Sequence, residues 1–227
     1  MTGKRIFTLG KTISETADVK TFHLIPADNK RFKFKAGQFV NLFLDDTCRP
    51  YSISSSPANE NFVELTIKMI KGKMTSKLET LKAGDKVEIA GPFGDFSFDS
   101  QELVMISCGI GIPPMMSQLR EIFDKRLKKK ITLFYSSRTR RDMLFRDELD
   151  RIQRDCPQLK IIYIITRENI KGCECRRFDL EMLKKYVENP AGKKYLVCGP
   201  AELRKNVSEI FGKLKIPAEN MKIECWG

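Results

Sequence analysis

Hydrophobic and polar residues alternate over short stretches in the first hundred residues of the chain. Such runs occur at 19–25, 39–44, 62–69 and 86–89, and turn residues at 26–29, 45–46, 56–59 and 83–85 separate them. A period of two residues is typical of a strand with one buried face. Many short strands at this spacing predict an antiparallel barrel or sandwich.

The pattern changes after residue 100. Near-continuous apolar runs occur at 103–107, 131–135, 161–165 and 195–198, as expected for strands that are buried on both faces. Amphipathic stretches with helical periodicity lie between and after them, at 115–126, 143–154, 179–186 and 201–214. This alternation predicts a parallel sheet with covering helices, and it places a domain boundary near residues 98–101.

Composition narrows the class of protein. The chain has 227 residues, 41% hydrophobic and 31% charged, which suits two small globular domains. No apolar run approaches the roughly 20 residues of a spanning helix, and the first residues lack signal-peptide features. Seven cysteines without a C-x-x-C pair or a zinc or iron–sulfur spacing indicate reduced thiols, so we expect a cytoplasmic protein without a metal site.

The net charge is +12, and most of it falls in the second half of the chain. A basic surface attracts nucleic acid, an anionic cofactor or an acidic protein, but it also occurs as a merely solvated lysine-rich face. A nucleic-acid-binding module would interleave aromatic residues with basic ones, whereas most aromatic residues here fall in core-like strands. We therefore expect no nucleic-acid partner.

A glycine-rich turn follows the first apolar run of the second half. Its sequence is Gly109-Ile110-Gly111-Ile112-Pro113-Pro114, and a helix is predicted to begin there. Glycines at such a turn let the backbone approach a pyrophosphate, and the helix N-terminus offers N–H groups to it. The pattern ends in proline rather than glycine, so an ordinary strand–helix turn accounts for it equally well.

Hydroxyl groups and arginines follow the next two apolar runs. Ser137 and Arg138 come after one, Thr166 and Arg167 after the other, and Arg177 lies a few residues later. The carboxyl ends of parallel strands meet at one edge of a sheet, where ligands bind. A carboxylate after the first of these two runs would favour a nucleotide whose ribose has a free 2′-hydroxyl. An arginine there, as in this chain, suits a nucleotide with a 2′-phosphate.

Two further motifs lie in the first half. Arg49-Pro50-Tyr51-Ser52 joins a fixed cation, an aromatic ring and a hydroxyl directly after a predicted strand. Gly72-Lys73-Met74-Thr75 begins a helical stretch with small residues that can cradle a phosphate. Each motif by itself is also compatible with an ordinary loop.

These motifs and Cys198-Gly199-Pro200, taken in order, resemble the ferredoxin–NADP⁺ reductase superfamily, and the resemblance covers essentially the whole chain. It implies an all-β antiparallel Greek-key barrel that binds flavin at 1–99, followed at 100–227 by an α/β domain with a parallel five-stranded sheet that binds NAD(P). The 72–75 segment is most similar to cytochrome b5 reductases. The ending at 223–226 is more similar to ferredoxin reductases.

The resemblance also implies roles for individual residues. The FAD-binding residues would be Arg49 at the pyrophosphate, Tyr51 against the isoalloxazine, Ser52 near flavin N5, Pro50, Ile67 and Lys68 beside the flavin, Gly72, Lys73, Met74 and Thr75 at the phosphates, and Trp226 as the covering aromatic residue. The NADPH-binding residues would be Gly109, Ile110, Gly111, Pro114, Ser137, Arg138, Thr166, Arg167, Arg177, Cys198, Gly199 and Pro200. The catalytic residues would be Ser52, Cys198 near the nicotinamide, and Glu224.

The implied activity is that of an FAD-dependent NAD(P)H oxidoreductase, with NADPH as the expected donor and NADH as the alternative. Electrons would pass to an acidic ferredoxin or flavodoxin, or to a small-molecule acceptor, and we expect a monomer. The alternatives are an NAD(P)H:flavin or cytochrome-type reductase, and an electron-transfer subunit of a larger complex. Two positions depart from the family: Pro113 stands where Thr, Ser or Ala is usual, and Gly227 follows the terminal aromatic residue.

Overall fold

The computed structural model describes residues 3–225, which form two compact units. One contains the residues up to Asp95 together with Pro113–Lys125, and the other contains Phe96–Ile112 and the residues after Lys125. The strands are β1 (Arg5–Ser14), β2 (Val19–Pro26), β3 (Phe39–Leu44), β4 (Thr47–Ser52), β5 (Val63–Lys68), β6 (Lys86–Phe93), β7 (Glu102–Cys108), β8 (Lys130–Ser137), β9 (Leu159–Ile165), β10 (Lys194–Gly199) and β11 (Met221–Cys225). The α-helices are α1 (Lys73–Thr80), α2 (Pro113–Asp124), α3 (Arg146–Asp155), α4 (Leu180–Tyr186) and α5 (Ala201–Lys213).

The first unit contains a six-stranded antiparallel sheet in the order β4-β3-β6-β1-β2-β5. Ile53, directly after β4, forms a further antiparallel bridge with Leu65 of β5, so the two ends of the sheet meet and the sheet closes as a barrel. Alternate side chains such as Val40 and Leu42 are fully buried inside it. Because β2–β3 and β5–β6 are consecutive but not neighbouring strands, the predicted Greek-key barrel is confirmed.

The position of the Arg49–Ser52 motif differs from the prediction. The motif lies within β4, paired with β3, rather than after a strand. Apolar periodicity did not reveal β4, because the strand TCRPYS is short and contains proline, which is tolerated where a strand ends a sheet. It also missed β1, whose second half is exposed and whose pairing with β2 is irregular at Gly10.

The second unit contains a parallel five-stranded sheet in the order β11-β10-β7-β8-β9, which confirms the predicted α/β architecture. The central strands are almost completely buried, as their continuous apolar sequences require. One face packs on α4 and α5 through residues such as Phe134, Val197 and Phe211. All five carboxyl ends therefore lie at the same edge of the sheet.

Helix α2 packs on the barrel, although it follows β7 in sequence. The buried Ser117 hydroxyl donates to the Ser55 carbonyl oxygen at 2.7 Å. Arg120 Nη1 donates to the Ser54 carbonyl oxygen and to Glu64 Oε2, both at 2.9 Å.

In the part of the chain that the structure describes, no helix has the length and apolar character needed to cross a membrane.

Candidate functional site

The barrel presents the Arg49–Ser52 motif along β4. Arg49 is exposed, and its Nη1 donates to the neighbouring Cys48 carbonyl oxygen at 2.8 Å. Tyr51 is half-buried against the barrel core, and this burial raises the pKa of its phenol. Ser52 is buried at the end of the strand. The strand thus offers an accessible guanidinium to an anion and a fixed aromatic side chain two residues away.

The Gly72–Thr75 motif forms the first turn of α1. The Gly72 N–H donates to Thr75 Oγ1 at 2.9 Å, and that hydroxyl donates to the Gly72 carbonyl oxygen at 3.2 Å. Met74 and Thr75 are buried, so their side chains belong to the helix start and the core. What remains for a phosphate is the backbone at the helix start and the ammonium of Lys73.

The Lys73 ammonium already pairs with a carboxylate, that of Asp46. Lys73 pairs with Asp46 at 2.5 Å, and Lys77 pairs with both Asp45 and Asp46. Hydrogen bonds from Lys73 and Lys77 hold the pKa of Asp46 well below its usual range. A phosphate that took Lys73 would therefore leave Lys77 as the partner of Asp46.

The two predicted flavin-side residues of β5 differ in accessibility. Ile67 is a core residue with 2% exposure, so its side chain is not accessible to a ligand in this structure. Lys68 extends outward and pairs with Asp18 at 3.2 Å. Together, the two motifs and Lys68 supply a guanidinium, ammonium groups, backbone N–H groups and a hydroxyl. This donor set fits the anionic and polar groups of FAD.

In the second unit, the two glycines of the Gly109–Gly111 turn have different functions. Gly109 has a φ of +53° and open space where a side chain would stand, so it makes the turn and leaves its backbone approachable. Gly111 is packed against β10, because a Cβ there would lie 2.2 Å from the Cys198 carbonyl oxygen. Pro113 and Pro114 then begin α2, and both are buried. The turn thus combines one open position, suited to a ligand, with one required by packing.

The predicted 2′-phosphate residues follow β8 and β9, and backbone bonds connect them. The Arg167 N–H donates to the Arg138 carbonyl oxygen at 2.9 Å, and the Thr166 N–H donates to the Ser137 carbonyl oxygen at 3.1 Å. The Ser137 hydroxyl is engaged with the Thr139 carbonyl oxygen at 2.7 Å. Arg138 and Arg167 are both exposed, so their side chains are accessible at one corner of the sheet edge.

Glu202, which the sequence reasoning missed, faces the third arginine. Glu202 lies in the first turn of α5, directly beyond Gly199 and Pro200, and pairs with Arg177. Burial raises the pKa of the Cys108 thiol, and the charges of Arg138 and Glu202 act on it in opposite directions. The carboxylate therefore lies near the same edge as the arginines. Its signal in the sequence was an acidic residue two positions after Cys-Gly-Pro.

The sheet register brings the two predicted catalytic residues of this unit together. Cys198 of β10 is fully buried and pairs in register with Glu224 of β11 on one side and with Ser107 of β7 on the other. Trp226 and Gly227 lie outside the described residues. Among the side chains of residues 3–224, no cluster of three histidine, cysteine or acidic groups is placed to hold a metal ion.

Comparison with known proteins assigns the class to which this fold belongs. The family Oxidoreductase FAD-binding domain matches residues 7–98, and the family Oxidoreductase NAD-binding domain matches residues 105–209. The chain thus combines a flavin-binding domain and a pyridine-nucleotide-binding domain. It belongs to the ferredoxin–NADP⁺ reductase superfamily, which confirms the resemblance noted in its motifs.

Two proteins and one solved structure are similar to this chain over most of its length. The chain is 33% identical over 201 residues to sulfhydrogenase 1 subunit gamma of Pyrococcus furiosus, covering 85% of this chain and 68% of that protein. It is 32% identical over 214 residues to the glycine betaine monooxygenase reductase subunit of Chromohalobacter salexigens, covering 88% of this chain but 58% of that protein. The flavohem-like FAD/NAD-binding domain of nitric oxide dioxygenase from Vibrio cholerae O1 biovar El Tor has the same fold, with a TM-score of 0.88, 21% identity and 98% coverage of both chains.

Proposed function

We propose that the protein is an FAD-dependent NAD(P)H oxidoreductase that uses NADPH and passes electrons to an external acceptor. The observation that carries this proposal is the order of the two domains on one chain, each matched by its own oxidoreductase family. FAD, when bound, accepts a hydride from a reduced nicotinamide and releases the electrons singly or together. The chain would supply binding, orientation and charge. The proposed domains are 1–99 for FAD and 100–227 for the nucleotide.

On the barrel, Arg49 would bind the FAD pyrophosphate, with Gly72 and Lys73 at the phosphates. This assignment is supported by the exposed guanidinium of Arg49 and the exposed ammonium of Lys73. Tyr51 would orient the isoalloxazine ring, because its phenol is held against the core. Met74, Thr75, Ile67, Lys68 and Pro50 would shape this site chiefly through the backbone and the packing beneath it.

On the parallel sheet, the Gly109–Gly111 turn, with Ile110 and Pro114, would bind the nucleotide pyrophosphate. Arg138, Arg167 and Arg177 would bind a 2′-phosphate, with Ser137 and Thr166 holding the strand ends beneath them. Pro200 is the N-cap residue of α5, directly after Gly199, so the N–H groups of that helix start would point toward the same edge. NADPH is therefore the proposed donor.

Three residues would handle the transferred hydride and protons. Cys198 would contact the nicotinamide, Ser52 would donate a hydrogen bond near flavin N5, and Glu224 would hold a proton. The register of Glu224 beside Cys198 supports this assignment, because neighbouring residues of parallel strands present their side chains on the same face.

The second candidate function is that of an electron-transfer subunit within a larger oxidoreductase. The names of the relatives favour it, since two of them are a reductase subunit and a gamma subunit. The chain also spans only 58% to 60% of the glycine betaine monooxygenase reductase subunits. An acidic ferredoxin or flavodoxin would suit the net charge of +12.

We further propose that the protein is a monomer and that it is located in the cytoplasm. The cysteine pattern supports the proposed location, because it indicates reduced thiols.

The proposal is tested by identifying the flavin and measuring its affinity. Wild-type protein should bind FAD, and Arg49→Ala should weaken FAD binding about 10- to 100-fold, since a charge-assisted phosphate bond is worth about 1.5–3 kcal/mol. Arg31→Ala is the matched control, because Arg31 is an exposed barrel arginine that pairs loosely with Glu60 at 3.9 Å. A wild-type chain without flavin affinity would overturn the function. Full FAD affinity in Arg49→Ala would overturn the placement of the pyrophosphate.

A further inference from the structure

A buried hydroxyl without a partner lies at the centre of the parallel sheet. Ser107 is 1% exposed, and its Oγ forms no hydrogen bond with any residue in the 3–225 range. The one other buried side-chain atom in this condition there, Arg5 Nε, belongs to a guanidinium whose terminal nitrogens donate to Asp28 and to two carbonyl oxygens. A buried hydroxyl left unbonded destabilises a protein. Ser107 therefore needs an explanation.

The residues beside Ser107 in the sheet indicate where its hydroxyl could find a hydrogen-bond acceptor. Ser107 is the penultimate residue of β7 and pairs in register with Cys198 on β10 and with Tyr135 on β8. Side chains at paired positions of parallel strands share a face and lie about 4.8 Å apart. The Tyr135 hydroxyl already accepts from the Leu144 N–H at 3.0 Å, and it donates to the Gly109 carbonyl oxygen at 3.5 Å. The Ser107 hydroxyl thus lies beside the residue proposed to contact the nicotinamide.

We propose that the Ser107 hydroxyl donates a hydrogen bond to the carboxamide oxygen of the bound nicotinamide, an inference that rests on the proposed function. The carboxamide is the only hydrogen-bonding substituent on that ring, so a donor next to Cys198 finds its acceptor there. The Gly109–Gly111 turn is the next segment along the chain and is assigned to the pyrophosphate. Ser107 would thereby fix the orientation of the ring at Cys198.

This role predicts opposite effects of one substitution on folding and on binding. Ser107→Ala removes an unbonded hydroxyl, so the melting temperature of the nucleotide-free chain should rise by about 2–6 °C. Ser117→Ala is the matched control: Ser117 is also fully buried, but its hydroxyl donates to the Ser55 carbonyl oxygen at 2.7 Å. Ser117→Ala should lower the melting temperature by a similar amount.

The binding test uses ligands with and without the nicotinamide. By titration calorimetry, Ser107→Ala should bind NADP⁺ about 3- to 10-fold more weakly than the wild type, as expected for one neutral hydrogen bond. Its affinity for 2′,5′-ADP, which lacks the nicotinamide, should not change. The 3-acetylpyridine analogue of NADP⁺ keeps the carbonyl oxygen and should lose affinity as NADP⁺ does.

Three outcomes would contradict the inference, each in a different way. Equal NADP⁺ affinity in Ser107→Ala and wild type would show that the hydroxyl does not bind the carboxamide. A fall in melting temperature like that of Ser117→Ala would show that the hydroxyl is already satisfied, for instance by a buried water. If the wild type bound neither NADP⁺ nor 2′,5′-ADP, the proposed function would fail and this inference with it. Loss restricted to Ser107→Ala and to nicotinamide-containing ligands supports both.

Discussion

Gly111 lies directly against the backbone of Cys198, and the contact leaves no room for a side chain. A Cβ on Gly111 would be 2.2 Å from the Cys198 carbonyl oxygen and 2.8 Å from the Gly199 Cα. Both neighbours are backbone atoms in a sheet, so they cannot move without disturbing β10. The contact holds the Gly109–Gly111 turn against the strand that contributes Cys198, Gly199 and Pro200. The candidate nucleotide site is therefore assembled by this packing.

Gly111→Ala should accordingly displace the turn from β10. We expect a loss of about 3 kcal/mol or more in the free energy of unfolding, together with weakened nucleotide binding. The control is Gly212→Ala in α5, where a Cβ meets nothing within 4 Å. That change should be neutral or stabilise by up to about 1 kcal/mol, because alanine is the better helix former. Chemical denaturation of the two variants gives the comparison, and similar stabilities would contradict the close contact.

Nucleotide preference should shift in opposite directions when Arg167 and Glu202 are changed. Arg167→Ala removes a proposed 2′-phosphate ligand, so KM for NADPH should rise about fivefold or more while the kinetics with NADH stay unchanged. Glu202→Gln releases Arg177 from its ion pair, so NADPH should bind about two- to fivefold more tightly. Both effects should decline as salt is added.

The control for the second change is Glu209→Gln, which removes one exposed negative charge elsewhere on α5. Steady-state kinetics with NADPH and NADH for the three variants separates local from general electrostatics. If Glu209→Gln raised NADPH affinity as much as Glu202→Gln, the pairing with Arg177 would have no special role. An unchanged preference in Arg167→Ala would remove Arg167 from the site.

Arg120 links α2 to the barrel through a largely buried carboxylate. Its guanidinium pairs with Glu64 at 2.9 Å, with side-chain exposures of 16% and 15%, and His23 Nδ1 lies 3.3 Å from the same carboxylate. Arg120→Met should lower the free energy of unfolding by about 2–3 kcal/mol, because Glu64 and the Ser54 carbonyl oxygen lose their donor. Adding Glu64→Gln should restore part of this loss.

Arg154→Met, at an exposed position of α3, is the matched control and should change stability by less than about 0.5 kcal/mol. Urea denaturation measures all three proteins. Equal stability of Arg120→Met and Arg154→Met would show that the buried pair contributes nothing.

Glu174 should make the second unit sensitive to acid. Hydrogen bonds from Lys185 and Tyr186 lower the pKa of Glu174 below its ordinary value of 4.5. A carboxylate with a lowered pKa in the folded state stabilises the protein fully above about pH 4.5, and this contribution is lost as the pH falls through the lowered value. Glu174→Gln should therefore cost about 1 kcal/mol at pH 7 and progressively less below pH 4.5.

Thermal denaturation between pH 3 and 8 checks this dependence. The difference in melting temperature between wild type and Glu174→Gln should shrink on the acid side. Glu209→Gln, at an exposed position, should show a much smaller difference throughout the range. A constant gap for Glu174→Gln across the whole range would contradict the assigned cause.

The sequence predicted the strands whose environment imposes a strict pattern. β7, β8, β9 and β10 are buried on both faces, so only apolar runs can form them, and the predicted bounds differ from the observed ones by one or two residues. β1 gave no such signal, because only Phe7 and Leu9 of its ten residues are buried. Helix α3 begins at Arg146 rather than near residue 143, because a 3-10 turn at Arg140–Asp142 and the left-handed Phe145 precede it.

The sequence likewise revealed some residues of the candidate site and not others. Motifs such as Gly109–Gly111 and Cys198–Pro200 are local, so the sequence revealed them. Ser107 and Glu202 escaped notice because their significance depends on neighbours distant in sequence: Cys198 beside one and Arg177 beside the other. The sequence signal for Ser107 was one hydroxyl at the end of an apolar strand. Such a residue is common in strands, and its missing hydrogen bond is a property of the folded chain alone.

The most direct test of the central claim is anaerobic mixing of the FAD-loaded protein with NADPH, and in parallel with NADH, while the flavin absorbance is followed. We predict that NADPH abolishes the oxidised flavin absorbance, and that at low salt it does so at least about tenfold more efficiently than NADH, as expected for two arginine–phosphate contacts. Equal efficiency of the two nucleotides would contradict the assignment of the three arginines. An unchanged flavin absorbance with both nucleotides would contradict the proposed oxidoreductase itself.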